Sequence, residues 1–170
     1  MPILIDERIL VTEQELVDEL DTKGYGERNG KQLMLSPEEA LYLNEKRAAF
    51  PVETKTGKNI DYKGLWKHFM KIDPEFSRKY LVYRDLRDRG YCVKTGFKFG
   101  SHYRIYARGE KPGKGHAIWL VQCIPEDYVC EFPKISGAVR LAQNVRKKMI
   151  YAVVDKEGDI GYYKMEWMTP

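Results

Sequence analysis

No hydrophobic run in this 170-residue sequence approaches the roughly 20 residues needed to cross a bilayer. The opening segment, MPILIDER, carries acids where a secretory leader carries a basic region and a long apolar stretch. The chain therefore reads as soluble and cytoplasmic. Its three cysteines, Cys92, Cys123 and Cys130, are odd in number and form no Cys-x-x-Cys pair, which argues against a disulfide framework and against a paired-cysteine zinc site. Each sits in or beside an apolar run, as a reduced, mostly buried thiol does. There is no His-Glu-x-x-His and no P-loop. The Glu53-x-Lys55 triplet lacks the preceding acid-bearing strand of a metal-dependent nuclease core, and no cluster of acids stands in the second half. No metal and no cofactor are expected.

What is present is a hydrophobic fraction of 43%, enough to bury a core, and an uneven charge. Residues 1–75 hold 11 Lys and Arg against 15 Asp and Glu, a net of −4. Residues 76–170 hold 18 against 10, a net of +8. An acidic half joined to a basic half fits a polyanion bound by the second half alone, although a basic excess by itself also describes a solvated lysine-rich face.

The first half reads as strands with three helices. Apolar runs at 3–5 and 8–11 are strands, and Thr12 with Glu15 forms a capping box for a helix reaching about Leu20. Ser36 and Pro37 open a second helix with Ala40, Leu41, Leu43, Ala48 and Phe50 on its apolar side, ended by Pro51. Turn residues 23–30 before the short run at 32–35 suggest a hairpin. Asp61 caps a third helix, with Leu65, Trp66, Phe69 and Ile72 near helical spacing. Pro74 marks the boundary between two domains, 1–75 and 76–170. The second opens with an amphipathic helix over 75–89, closed by Gly90. Strands follow at 91–95, 103–106, 116–124, 150–155 and 160–167, with one crossover helix over 136–146 and a hairpin turn at 155–159. The fold class is α/β (α+β): a mixed α/β domain, then a mixed central sheet flanked by helices. The GFKF run at 96–99 is superficially similar to an RNA-recognition motif, but Gly100 interrupts the strand that such a motif needs.

The second half offers three reactive side chains. Tyr106 ends a strand just before the basic, glycine-bearing loop 107–115, a place where catalytic groups tend to stand. Taken alone it also describes a half-buried strand tyrosine, and a phenol with a reference pKa of about 10 needs nearby cations to serve as a base. Lys147, or Arg108, Lys111 and Lys114 of the loop, are the candidates for that. His116 opens the apolar strand HAIWLV, and an imidazole donates a proton at cellular pH; the same placement suits a structural histidine. His68, inside the third helix, and His102, in a turn, are weaker. Lys147 lies at a helix C-terminus, where the dipole favours a cation whether or not it has a function. An ammonium about 4 Å from a developing negative charge carries a Coulomb term of roughly 4 kcal/mol at an effective dielectric of about 20. A proton acceptor, a proton donor and a fixed cation together match what cleaving RNA through its own 2′-hydroxyl requires.

The segments FKFGSHYRIY (97–106), HAIWLV (116–121), RLAQNVRK (140–147) and DKEGDIGYY (155–163) together resemble the archaeal tRNA-splicing endonucleases, also called tRNA-intron endonucleases. The resemblance covers roughly residues 80–168; the first half is similar to that family's N-terminal domain only in its order of elements. It implies a C-terminal nuclease domain in which Tyr106 is the general base, His116 the general acid and Lys147 the stabiliser of the transition state. It further implies that Arg140 and Trp167 clamp an extruded base from a neighbouring subunit. Family members cut precursor tRNA at both intron boundaries in a bulge-helix-bulge, leaving 2′,3′-cyclic phosphate and 5′-hydroxyl ends. The chain length resembles the homotetrameric class, in which an acidic loop docks into a basic cleft of another subunit; Glu126, Asp127 and Glu131 are the matching acids. A heterotetramer with a structural subunit is the other arrangement. A non-catalytic RNA-binding or scaffold subunit is the alternative from outside enzymology, and a metal-dependent nuclease the alternative within it.

Overall fold

The computed structural model describes residues 1–47 and 50–170. It divides into two compact units, Met1–Ser77 and Arg78–Pro170. Ala48, assigned from sequence to the apolar side of the second helix, lies outside the described residues.

In the first unit, strands β1 (Ile3–Ile5), β2 (Arg8–Val11), β3 (Glu27–Asn29), β4 (Gln32–Leu35), β5 (Val52–Glu53) and β6 (Asn59–Ile60) form one sheet in the order β3-β4-β2-β1-β5-β6. All pairs are antiparallel except β1 with β5. Helices α1 (Gln14–Thr22), α2 (Pro37–Lys46) and α3 (Tyr62–Ile72) supply the other half of the core. Ile9, Val11, Leu33 and Leu35 of the sheet are buried with Leu20, Leu41 and Leu65 of the helices. The expected caps hold for two helices. Ser36 Oγ accepts from the Glu39 amide at 3.2 Å while the Glu39 carboxylate accepts from the Ser36 amide at 2.9 Å, and Asp61 Oδ1 accepts from the Gly64 amide at 2.8 Å. Glu39 also takes the Gly26 amide at 2.9 Å, which explains how a carboxylate sits buried there. The first helix departs from expectation: the chain stays extended through Glu13 and α1 starts without a side-chain cap. Phe50 is buried, yet it lies beyond the end of α2 and its carbonyl accepts from Asn44 Nδ2 at 2.9 Å. Ile72 is exposed rather than part of the apolar side of α3.

In the second unit, β7 (Cys92–Thr95), β8 (Tyr103–Tyr106), β9 (Ala117–Pro125), β10 (Lys148–Val154) and β11 (Ile160–Met165) form a sheet in the order β11-β10-β9-β8-β7. β9 and β10 are parallel and the other pairs antiparallel. The parallel pair needs a crossover, supplied by α5 (Phe132–Asn144). This helix begins four residues earlier than its spacing suggested because Pro133 occupies the first turn. Helix α4 (Phe76–Asp88) precedes the sheet and ends where Gly90, at φ 93°, turns the chain.

The two helices lie on opposite faces. Leu120 and Met149 pack with Ala142 of α5. Tyr103, opposite Val121, bonds through its hydroxyl to the Lys79 carbonyl of α4 at 2.9 Å. Since successive strand residues point to opposite faces, Leu120 and Val121 separate α5 from α4. The result is a mixed α/β chain with two mixed sheets, the second a sheet between two helices. All three cysteines are free thiols, with Cys92 and Cys123 buried and Cys130 partly so.

Candidate active site

Three neighbouring strands end together at one end of the second sheet. Tyr106, the last residue of β8, pairs with Cys92 of β7 on one side and Ala117 of β9 on the other. His116 immediately precedes Ala117. Lys148, the first residue of β10, pairs with Trp119 of β9, so Lys147 stands just before that same end. Adjacent strands are about 4.8 Å apart, so the backbones carrying the three residues fall within roughly 10 Å of one another. The β8–β9 register also shifts between Ile105 and Tyr106. Such irregularities re-aim side chains at strand ends.

Each of the three is held differently. Tyr106 is 7% exposed, its ring against Cys92 and Ala117, and its hydroxyl accepts a hydrogen bond from Arg104 Nε at 3.1 Å. His116 is exposed to solvent. Lys147 follows a left-handed turn at Arg146, φ 59°, a conformation that costs a non-glycine residue about 1–2 kcal/mol. That turn satisfies the end of α5, for the Lys147 amide donates to the Ala142 carbonyl at 2.8 Å. The Lys147 ammonium then reaches the Val145 carbonyl at 3.3 Å and lies 5.2 Å from the centroid of the Phe99 ring.

Phe99 belongs to a 3-10 turn, Phe97–Phe99, built around Gly96. A Cβ on Gly96 would stand 2.2 Å from Ser101 Oγ and 2.9 Å from the Ser101 carbonyl oxygen, so only glycine fits. Phe99 is partly buried against the Leu120 cluster, which anchors it beneath the lysine.

A cation outside those that the sequence suggested bonds Tyr106. Arg108 turns away: its Nε donates to the Arg89 carbonyl at 2.7 Å and its guanidinium lies 4.7 Å from the centroid of Tyr91. Arg104, two residues before Tyr106 on the same strand face, takes that place. Strand alternation is the signal that finds it.

Arg140 lies exposed on α5, and Trp167, 59% exposed, follows β11. Because β11 runs antiparallel to β10 with Met165 opposite Met149, the chain leaves β11 at the sheet end where Lys147 enters β10. Glu166 marks that exit by pairing with Lys148 at 2.7 Å, and this hydrogen bond holds its carboxyl below the usual carboxylate range. His68 Nε2 bonds to the Asp6 carbonyl, and His102 Nδ1 accepts from the Cys123 amide at 2.8 Å, both structural roles. Among the described residues no group of three or more His, Cys, Asp or Glu is gathered in a way that would hold a metal ion, and no helix is long and apolar enough to cross a membrane.

Comparison with known proteins places this arrangement. Residues 76–162 match the family model for the catalytic C-terminal domain of tRNA intron endonuclease, and residues 3–66 match the model for the N-terminal domain. These are endonuclease domains, following one another in the order of the two compact units. The chain is similar to the tRNA-splicing endonuclease of Pyrococcus horikoshii, 40% identical over 97% of this chain and 94% of the relative. It is 41% identical to that of Pyrococcus furiosus over 96% and 94%, and 39% identical to that of Methanococcus vannielii over 97% and 92%. The chain belongs to the tRNA intron endonuclease family.

Proposed function

We propose that this chain is the catalytic subunit of an endonuclease that excises introns from precursor tRNA, cutting both splice sites in a bulge-helix-bulge. The observation that carries the reading is the strand register that gathers Tyr106, His116 and Lys147 at one sheet end. In the proposed step the 2′-hydroxyl gives its proton to the Tyr106 phenolate as O2′ bonds to phosphorus. The bond from phosphorus to O5′ breaks, and O5′ takes a proton from the His116 imidazolium. Lys147 faces the extra negative charge of the phosphorane. The products are a 2′,3′-cyclic phosphate and a 5′-hydroxyl. Side chains supply acid, base and cation, so the step uses no metal. The bulges matter because in-line attack needs a nucleotide free of the duplex.

Arg140 and the exposed Trp167 serve as a clamp on an extruded base, with stacking worth about 1–3 kcal/mol per base. Two cuts per intron call for two active sites at fixed separation, which a homotetramer provides. Its assembly uses the exposed acids Glu126, Asp127 and Glu131 in the loop between β9 and α5. A heterotetramer with a structural subunit differs in one measurable respect, because the isolated chain then scatters light as a smaller, inactive particle.

The test is cleavage of a bulge-helix-bulge RNA in excess EDTA. Two cuts with cyclic phosphate ends are expected; no cleavage, or 3′-hydroxyl ends, rejects the mechanism. Changing His116→Ala should slow cleavage by about 10²–10⁴-fold with binding nearly intact. An unchanged rate removes His116 as the acid, whereas RNA binding by the parent chain without any cleavage favours a subunit that binds RNA without cutting it.

A further inference from the structure

We propose that Arg104 is a positioning residue that favours the phenolate of Tyr106 and fixes the direction in which its oxygen accepts a proton. The inference rests on the reading of Tyr106 as general base, and it supplies what that reading lacks. A phenol buried to 7% exposure has little water with which to carry a negative charge. Arg104 Nε donates to the phenolic oxygen at 3.1 Å, and its guanidinium carbon lies 5.9 Å from the centroid of the same ring. A guanidinium has donors only, so this oxygen must be the acceptor, and a donor that is itself a cation bonds a phenolate more strongly than a phenol. The guanidinium is also fixed from its other side, Nη1 donating to the Thr95 carbonyl at 2.7 Å. Arg104 thus occupies one lone-pair direction of the phenolic oxygen and leaves another for the 2′-hydroxyl.

The surroundings carry the same sign. Lys94 of β7 stands directly opposite Arg104 and is 8% exposed, while Cys92, a thiol, stands opposite Tyr106. On the other side β9 presents Ala117, with His116 next to it, and Lys147 precedes β10 one strand beyond. Like charges directly opposed across an antiparallel pair are destabilising. The β7–β8 ladder is complete through its backbone from Thr95 and Tyr103 to Cys92 and Tyr106, so joining these strands does not require an arginine. Arg104, two residues from Tyr106 and bonded to its oxygen, instead brings the positive charge that a phenolate base needs.

The experiment is the dependence of the single-turnover rate on pH, with saturating and subsaturating bulge-helix-bulge RNA, for the full chain and for Arg104→Met, Arg104→Lys and Tyr106→Phe. Arg104→Met should lose about 10–100-fold at neutral pH, with the rising limb moved to higher pH so that the deficit narrows as pH increases, and with KM unchanged. Arg104→Lys keeps a cation without the forked geometry and should move the limb less; it decides the matter if the methionine variant does not fold. A deficit equal at every pH, or a raised KM with unchanged kcat, overturns the proposal by making Arg104 a strand tie or a phosphate contact. Tyr106→Phe separates the two levels. Full activity there removes the base assignment itself, whereas an inactive Tyr106→Phe beside unmoved limbs in both arginine variants removes only the role of Arg104.

Discussion

The two units carry their cations in different company. In Met1–Ser77 arginines face carboxylates: Arg28 meets Asp18 at 2.8 Å and Asp21 at 3.2 Å, Arg47 meets Glu19 at 3.1 Å, and Arg8 meets Glu27 at 3.0 Å. Around the sheet end of Arg78–Pro170 Lys148 does pair with Glu166, but Arg104, Arg108 and Lys147 are held by carbonyl and hydroxyl oxygens and by rings. Arg104 bonds Thr95 and Tyr106, Arg108 bonds Arg89 and covers Tyr91, and Lys147 bonds Val145 and covers Phe99. A carboxylate cancels a formal charge; a carbonyl or an aromatic face orients a cation and leaves its charge in place. The first pattern fits a surface that only has to be stable, and exposed pairs of that kind contribute little. The second fits a surface that keeps positive potential for a phosphate.

The largest effect that would sharpen this contrast is Lys147→Met. Single-turnover cleavage should slow by about 10²–10³-fold, as for other groups aimed at transition-state charge, with a melting temperature close to that of the parent chain. Arg28→Met, which removes its ion pairs with Asp18 and Asp21, should leave the rate unchanged and barely move the midpoint of a denaturant titration. A wild-type rate for the lysine variant would remove the functional half of the comparison.

A matched pair of glycines gives the next effect. Gly96→Ala drives a Cβ into Ser101 and should cost about 1–3 kcal/mol, as overpacking does, and it should also slow cleavage because the 97–99 turn carries Phe99 beneath Lys147. Gly30→Ala, at φ 61° in the first unit, meets nothing within 4 Å. Its cost should be the left-handed backbone alone, about 1–2 kcal/mol, without change in rate. Equal slowing by both would mean that the 97–99 turn has no particular claim on the lysine.

Much of the architecture was legible because alternation and turn chemistry act locally. The β8 strand, Tyr103–Tyr106, has the bounds that its pattern suggested, and Ser36 and Asp61 cap the helices assigned to them. Strands β5 and β6 escaped because each is two residues long and owes its existence to pairing, Ile3 with Glu53 and Val52 with Ile60. Within the candidate site, the three residues were legible by type and by resemblance, but their placement at one sheet end depends on the parallel β9–β10 register. Arg104 is less conspicuous in the sequence than Arg108, which belongs to the basic loop after Tyr106. Side-chain direction decides between them, since residues two apart on a strand share a face. The part Phe99 plays is not legible in the sequence, because its contact with Lys147 joins residues 48 positions apart.

The smallest effect separates the units at extremes of pH. In the second unit the Tyr162 hydroxyl donates to Asp85 Oδ2 at 2.6 Å, and burial first, then this hydrogen bond, pushes its pKa well above that of an ordinary phenol. Burial raises Tyr151 in the same direction. A phenol that holds its proton more tightly when folded contributes stability that is complete below the unfolded value of about 10 and is lost as pH climbs beyond it. In the first unit the hydrogen bond from Lys23, then that from Arg47, holds Glu19 below the usual carboxylate range. Its contribution is present above the unfolded value and disappears as pH falls through the folded one. Glu166, lowered by Lys148, gives the second unit an acid-side loss of the same sign. Acid should therefore loosen both units slightly, since these carboxylates are exposed, whereas alkali should loosen the second unit first. Hydrogen exchange of the full chain, resolved by segment, checks this. Tyr162→Phe should reduce the alkaline loss without abolishing it, because Tyr151 remains; alkaline loosening shared equally by the two units would show that these phenols do not set the difference.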